Sequence, residues 1–137
     1  MLDLETAAPG DCFALDHVLD ALPWNSAGLI AAIAQQHGSG EVLMLAWMNR
    51  QALDETLATR QVCYWSRSRK QLWRKGESSG HRQRLIEARL DCDGDAVLLI
   101  VDQQGPACHT GRLTCFYNAI DHDQIHVLTA PLKEPAA

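Results

Sequence analysis

No run of apolar residues approaches the roughly 20 that a helix needs to cross a bilayer, so no membrane partner is expected. The first residues, MLDLETAAPGD, have neither the basic start nor the apolar stretch of a secretory signal, which makes the cytoplasm the expected location. An even number of cysteines is also missing. Five cannot all pair within one chain, and in a reducing compartment clustered thiols serve metal binding or catalysis. Positive charge is not in excess: the formal net charge is -5, which argues against general nucleic-acid binding. Repeats, linkers and low-complexity segments are absent. What remains is a 137-residue chain, 47% apolar and 21% charged, with the length of one domain and the composition of a soluble globular protein.

Its most informative stretch carries Cys92, Cys108 and Cys115 together with Asp91, Asp93, Asp95 and His109. Thiolates and imidazoles suit zinc, whereas carboxylate oxygens suit magnesium. Three thiolates on one zinc leave a fourth position for water, the arrangement of a catalytic site, and so point to a metal-assisted hydrolase. The spacing C-x15-C-x6-C is not that of a standard zinc knuckle. The aspartates read either as a solvated turn or as a hard-cation site. An EF-hand is not expected, because the bidentate glutamate that should follow the loop glycine is missing. His109 is either a loop histidine or, beside a thiolate, a general base or proton shuttle. Cys12 and Cys63 lack nearby ligand partners and are expected to be small buried hydrophobes.

A second cluster is basic. Arg67, Arg69, Lys70, Arg74, Lys75, Arg82 and Arg84 are opposed only by Glu77, which reads either as a site for a specific anionic ligand such as phosphate or as a solvated charged face. Within it the loop of Gly76, Glu77, Ser79 and Gly80 offers backbone N–H groups to an anion. Trp65 and Trp73 are candidates to stack on a purine, with core packing as the commoner fate of a strand tryptophan. A nucleotide-like small-molecule substrate beside a zinc-activated water suggests attack on a base ring, although the H-x-E and P-C-x-x-C signature of zinc deaminases is absent.

The pattern along the chain predicts one α+β domain dominated by antiparallel strands, with one or two helices. A short helix around Asp16–Ala21 ends before Pro23; GLIAAIAQQ and EVLMLAWM form a hairpin about GSG; Asn49 caps the helix NRQALDETLATR. VCYWSRS and the start of KQLWRKGESSG are strands. In RQRLIEARLDC, Ile86, Ala88, Leu90 and Cys92 share one face, while Glu87, Arg89 and Asp91 share the other. AVLLIVDQQ is a strand, QGPACHTG a loop and LTCFYNAI the last strand; PLKEPAA is expected to fray.

LMLAWMN, YWSRSR, LWRKGESSG with Gln83, DCDGD, GPACHTG and the pair Cys115–Phe116 occur in an order that resembles the phosphoribosyl-AMP cyclohydrolase family of histidine biosynthesis. The likeness covers roughly residues 28–118, and departs modestly at Ala31, where proline is expected, and at Gln36, where an acid is common. It divides the chain into a peripheral segment 1–27, a cyclohydrolase domain 28–119 and a tail 120–137, with no room for the pyrophosphohydrolase domain fused to some relatives. The resemblance implies hydrolysis of the N1–C6 bond of the adenine ring of phosphoribosyl-AMP. It also implies an intertwined homodimer with one zinc per subunit, Cys92 coming from one chain and Cys108 with Cys115 from the other. Asp91, Asp93 and Asp95 match the family's magnesium positions. In that scheme His109 handles protons, while Arg67, Arg69 and Lys75 hold phosphates; the fourth zinc ligand stays open. Two competing readings are a non-catalytic zinc-stapled dimer that binds nucleotides or RNA, and a thiol redox sensor.

Overall fold

Two apolar strands whose residues are buried at every second position build the centre of the molecule. In the computed structural model, which describes residues 4–132, β1 (Ile30–Gln36) buries Ile30, Ala32 and Ala34, and β6 (Ala96–Gln103) buries Val97, Leu99 and Val101. These two strands lie side by side and parallel in the middle of a four-stranded sheet, of order β2 (Val42–Met48), β1, β6, β5 (Gln83–Leu90). The hairpin expected about residues 38–40 forms, with β2 on the outside of β1. On the far edge β5 runs antiparallel to β6. The architecture is the expected α+β domain, mostly antiparallel.

Asn49 caps α2 (Arg50–Thr59), its side-chain oxygen accepting from the Ala52 N–H at 2.8 Å. The helix buries Ala52, Leu53 and Thr56 against the sheet. The Thr56 hydroxyl, in the core, donates to Ala52 O and accepts from Cys63 N, both at 2.9 Å, and so ties the helix to the strand that follows. That strand, β3 (Cys63–Ser66), pairs with β4 (Gln71–Arg74) in a separate two-stranded ribbon. Tyr64 is fully buried, donates to Gln83 Oε1 at 2.7 Å, and Gln83 in turn donates to Met44 Sδ at 3.3 Å. This chain of polar contacts fixes the ribbon against the sheet.

Several expectations are corrected. Ile86 does not share a face with Ala88 and Leu90. The ladder to β6 skips it between Leu85 and Glu87, so Ile86 bulges outward and is 39% exposed while Leu85 is buried. Segment 113–117 is not a strand; regular pairing begins only at β7 (Asn118–Asp121), which forms a hairpin with β8 (Gln124–Val127) inside the presumed tail. Cys12 is exposed rather than buried, whereas Cys63 is buried as expected. From the segment expected to be peripheral, α1 (Leu15–Ala21) and Leu22 contribute Val18, Leu19 and Leu22 to the central core. The fraying expected of PLKEPAA falls on 133–137, outside the described residues, except for Pro131 and Leu132.

Candidate active site

Two of the three clustered cysteines are brought together by a tight loop laid along the sheet edge. Ala107 N donates to Leu113 O, Cys108 N to Arg112 O, and Gly111 N to Cys108 O, which folds residues 107–113 back on themselves. The chain then follows the open edge of β2. There the register slips so that Ala34 faces Met44 and Gln35 faces Val42, leaving Leu43 without a partner on β1. Leu43 O accepts from Cys115 N at 2.7 Å, and Val42 O accepts from the Thr114 hydroxyl at 2.7 Å. The Thr114 oxygen also takes the Phe116 N–H at 3.0 Å. A side chain thus does part of the work of a ladder, which is why LTCFYNAI fails to be a strand from its start.

The two thiols hydrogen-bond to each other and differ in acidity. Burial pushes Cys108 up, but the Thr110 hydroxyl at 3.1 Å, the Thr110 backbone N–H and the Cys115 thiol outweigh it, and the net shift is downward. Cys115 is pushed up to about 12 by burial first and then by the neighbouring Cys108 sulfur. Cys108 is therefore the sulfur that ionises first, with Cys115 as its donor.

Both sulfurs open into a cleft of about 470 Å³ whose opposite wall is β4 and the loop after it. Of the residues expected at a site, Arg69, Trp73, Lys75, Gly76, Glu77 and Ser79 line this cleft with Cys108, His109 and Cys115. Lys75 crosses to the thiol loop, its Nζ donating to Ala107 O at 2.7 Å and lying 5.4 Å from the Trp73 ring centre. Burial lowers the Lys75 pKa, while the two sulfurs oppose that shift. Trp73 packs its ring at 5.5 Å from Tyr64 and stays 39% exposed toward the cleft.

Trp65, Arg67 and Gly80 are not among the lining residues. Trp65 pairs with Leu72 on the ribbon face opposite Tyr64 and Trp73, and the Arg67 guanidinium stacks 4.9 Å over Trp47. The Gly80 N–H is already given to Gly76 O at 2.8 Å and the Glu77 N–H to Arg74 O at 3.1 Å, so these two amides of the Gly/Ser loop are not free for an anion. Sequence reasoning missed His81 and Met44 as cleft residues. His81 follows the quoted GESSG motif directly, and that adjacency was the available signal.

The aspartates lie elsewhere. In the turn between β5 and β6, Asp91, Asp93 and Asp95 bring one carboxylate oxygen each within 4.8 Å of one another, the only such group of three among the described residues. Asp91 accepts from the backbone N–H of Asp95 at 3.0 Å and of Ala96 at 3.4 Å. Its pKa is lowered: burial acts upward, but hydrogen bonds from Asp95, Ala96 and Asp93 prevail. Asp95 is pushed up to about 6 by its hydrogen bonds to Asp91 and Asp93. Three carboxylates this close, one made less acidic by the other two, fit a hard divalent cation. Cys92 is exposed in the same turn and does not join Cys108 and Cys115. It follows β5 on one edge of the sheet, whereas Cys115 lies outside β2 on the other, four strand spacings or roughly 19 Å away across the sheet. One chain therefore offers zinc two sulfurs, not three.

A family model described as phosphoribosyl-AMP cyclohydrolase matches residues 44–117. Phosphoribosyl-AMP cyclohydrolase 2 of Pseudomonas fluorescens is 78% identical over 134 residues, covering 98% of this chain and 91% of that protein. Phosphoribosyl-AMP cyclohydrolase of Alkalilimnicola ehrlichii is 67% identical, with 97% of this chain and 94% of that protein covered. The protein of the same name from Chromohalobacter salexigens is 68% identical, with coverage of 96% and 90%. The matched segment contains the thiol loop, the cleft and the aspartate turn.

Proposed function

The chain belongs to the phosphoribosyl-AMP cyclohydrolase family and is an enzyme of histidine biosynthesis; from that premise we propose that it hydrolyses the N1–C6 bond of the adenine ring of 1-(5-phosphoribosyl)-AMP. The product is the formimino-aminoimidazole carboxamide ribonucleotide carrying two phosphoribosyl arms. The observation that carries the reading is the hydrogen-bonded pair Cys108–Cys115 in one cleft with His109, Arg69 and Lys75. Paired soft sulfurs fit zinc, and the aspartate turn fits magnesium. A zinc ion on Cys92, Cys108 and Cys115 supplies the Lewis acidity that makes a water nucleophilic near neutral pH.

The rest is the work of this chain's own residues. Arg69 and Lys75 bind phosphate oxygens, and the exposed face of Trp73 offers a surface for the purine. Ribosylation at N1 leaves C6 electron-poor. Water adds at C6, the N1–C6 bond breaks with its electron pair going to N1, and the C6 oxygen becomes the carboxamide carbonyl. Of the two water protons one ends on N1 and the other on the exocyclic imino nitrogen, which becomes the amide NH2. His109 takes the proton from the attacking water and returns it to N1. Asp91, Asp93 and Asp95 would hold magnesium, which would supply a cation for a phosphate oxygen or brace the turn. Because Cys92 stands apart from the thiol pair, a second copy of the chain supplies it. The sheet face that carries Leu45, 49% exposed, with Ile33 and Leu98 beside it in register, is an apolar seat for that copy.

The test is direct. Metal-loaded protein incubated with phosphoribosyl-AMP should change the ultraviolet absorbance as the purine opens, and a chelator should stop it. No absorbance change with zinc bound would defeat the proposal.

A further inference from the structure

His81 is half-buried on the wall of the cleft, and an unusual amount of structure converges on it. A Cβ at Gly76 would lie 2.4 Å from the His81 carbonyl carbon and 2.5 Å from Arg82 N, so only glycine lets the 76–80 turn close onto this backbone. A Cβ at Gly105 would lie 2.7 Å from His81 Cδ2 and 3.3 Å from its Nε2, so the ring rests against bare backbone three residues before Cys108. Gln103, only 9% exposed, donates from Nε2 to His81 O at 3.1 Å, and its own N–H donates to Gln36 Oε1 at 2.9 Å on the neighbouring strand. The imidazole is thereby wedged between the loop of β4 and the thiol loop. Yet among the described residues nothing hydrogen-bonds to either of its ring nitrogens.

The other cations of the cleft are partly committed. Arg74 forks onto Glu55 at 2.9 and 2.8 Å, and Lys75 reaches across to Ala107 O. A substrate with two phosphates has room for a further donor beside Arg69 and Lys75. We propose that His81 is a substrate-contacting residue of this cleft, its imidazole donating to a phosphate oxygen of the bound nucleotide; this rests on the nucleotide reading given above. A fixed ring with unused nitrogens is suited to that task, because little side-chain freedom is lost on binding.

His81→Ala should raise KM for phosphoribosyl-AMP about tenfold and change kcat less than about twofold, since the contact is equal in ground and transition states. His81→Gln, which keeps a donor, should recover part of the loss. Independently of turnover, the ring resonances of His81 in the wild-type protein should shift when AMP is titrated in, and stay still with adenosine, which lacks the phosphate. An unchanged KM in a folded His81→Ala protein, a loss confined to kcat, or ring signals blind to AMP would each overturn the assignment. Failure of the wild-type protein to open phosphoribosyl-AMP would instead sink the cyclohydrolase reading, while the AMP and adenosine titrations would still decide the role of His81.

Discussion

Cys108 sits where a thiolate is favoured, with the Thr110 hydroxyl at 3.1 Å and a second thiol donating to it, while Cys115 resists ionisation. Removing the more acidic sulfur should cost the most zinc. Cys108→Ser should abolish stoichiometric zinc in metal analysis and lower kcat by about a hundredfold or more, a larger effect than the loss of a residue that merely orients a ligand. Full activity in a zinc-free Cys108→Ser protein would remove zinc from the reaction. Asp95 gives a pH signature of opposite kind. Its pKa is raised to about 6, so between the ordinary aspartate range and pH 6 the folded protein holds more protons than the unfolded one. Metal-free protein should therefore lose stability as pH rises through that window, and added magnesium, which displaces the proton, should reverse the loss. Asp95→Asn should flatten the dependence in thermal melts taken with and without magnesium. Deeper in the core, Tyr64→Phe removes a 2.7 Å hydrogen bond and strands Gln83 Oε1 in a buried site. About 1–3 kcal/mol of stability should disappear from denaturant titrations.

At the scale of elements, the thiol loop depends on the edge of β2 more than on any regular pairing of its own. Thr114, 7% exposed, donates to Val42 O and accepts from Phe116 N, which anchors the segment that carries Cys115. Thr114→Val keeps the shape and deletes both bonds, so zinc affinity should fall about tenfold in chelator competition. An unchanged affinity would show that the Leu43–Cys115 bond holds the loop alone. The same element marks the limit of what the sequence discloses. The apolar runs in IAAIAQQ and AVLLIVDQ reveal two strands, and Asn49 announces its helix, because each signal is local. The bulge at Ile86 was hidden: nothing local says which residue of an apolar pair the ladder will skip. Segment 113–117 looked like a strand because it is rich in β-branched and aromatic residues, Thr114, Phe116 and Tyr117, and only the neighbouring edge decides that Thr114 bonds there instead. QIHV in β8 is exposed throughout, so it has no burial period to read. For the site, residue types gave the chemistry, but which loop N–H groups are already used and which faces Trp65 and Arg67 take depend on the ribbon's register.

For the whole molecule, the distance between the aspartate turn and the thiol loop governs everything. Cys92 and Cys115 flank opposite edges of one sheet, so the proposed three-sulfur site would close only between copies, and two-fold symmetry would then make two identical sites per pair. That arrangement has a consequence that a site within one chain cannot mimic. Cys92→Ser and Cys108→Ser proteins should each be inactive alone. In a mixed pair, one site combines both lesions, while the other joins an intact Cys92 to an intact Cys108–Cys115 pair. Random exchange of subunits makes half of the dimers mixed, and each has one good site, so activity should return to about a quarter of wild type. The measurement is turnover after the two proteins are mixed, unfolded and refolded together, compared with mixing without exchange. If co-refolding restores nothing while wild type treated in the same way recovers, the sulfurs are not shared and Cys92 has no part in the site.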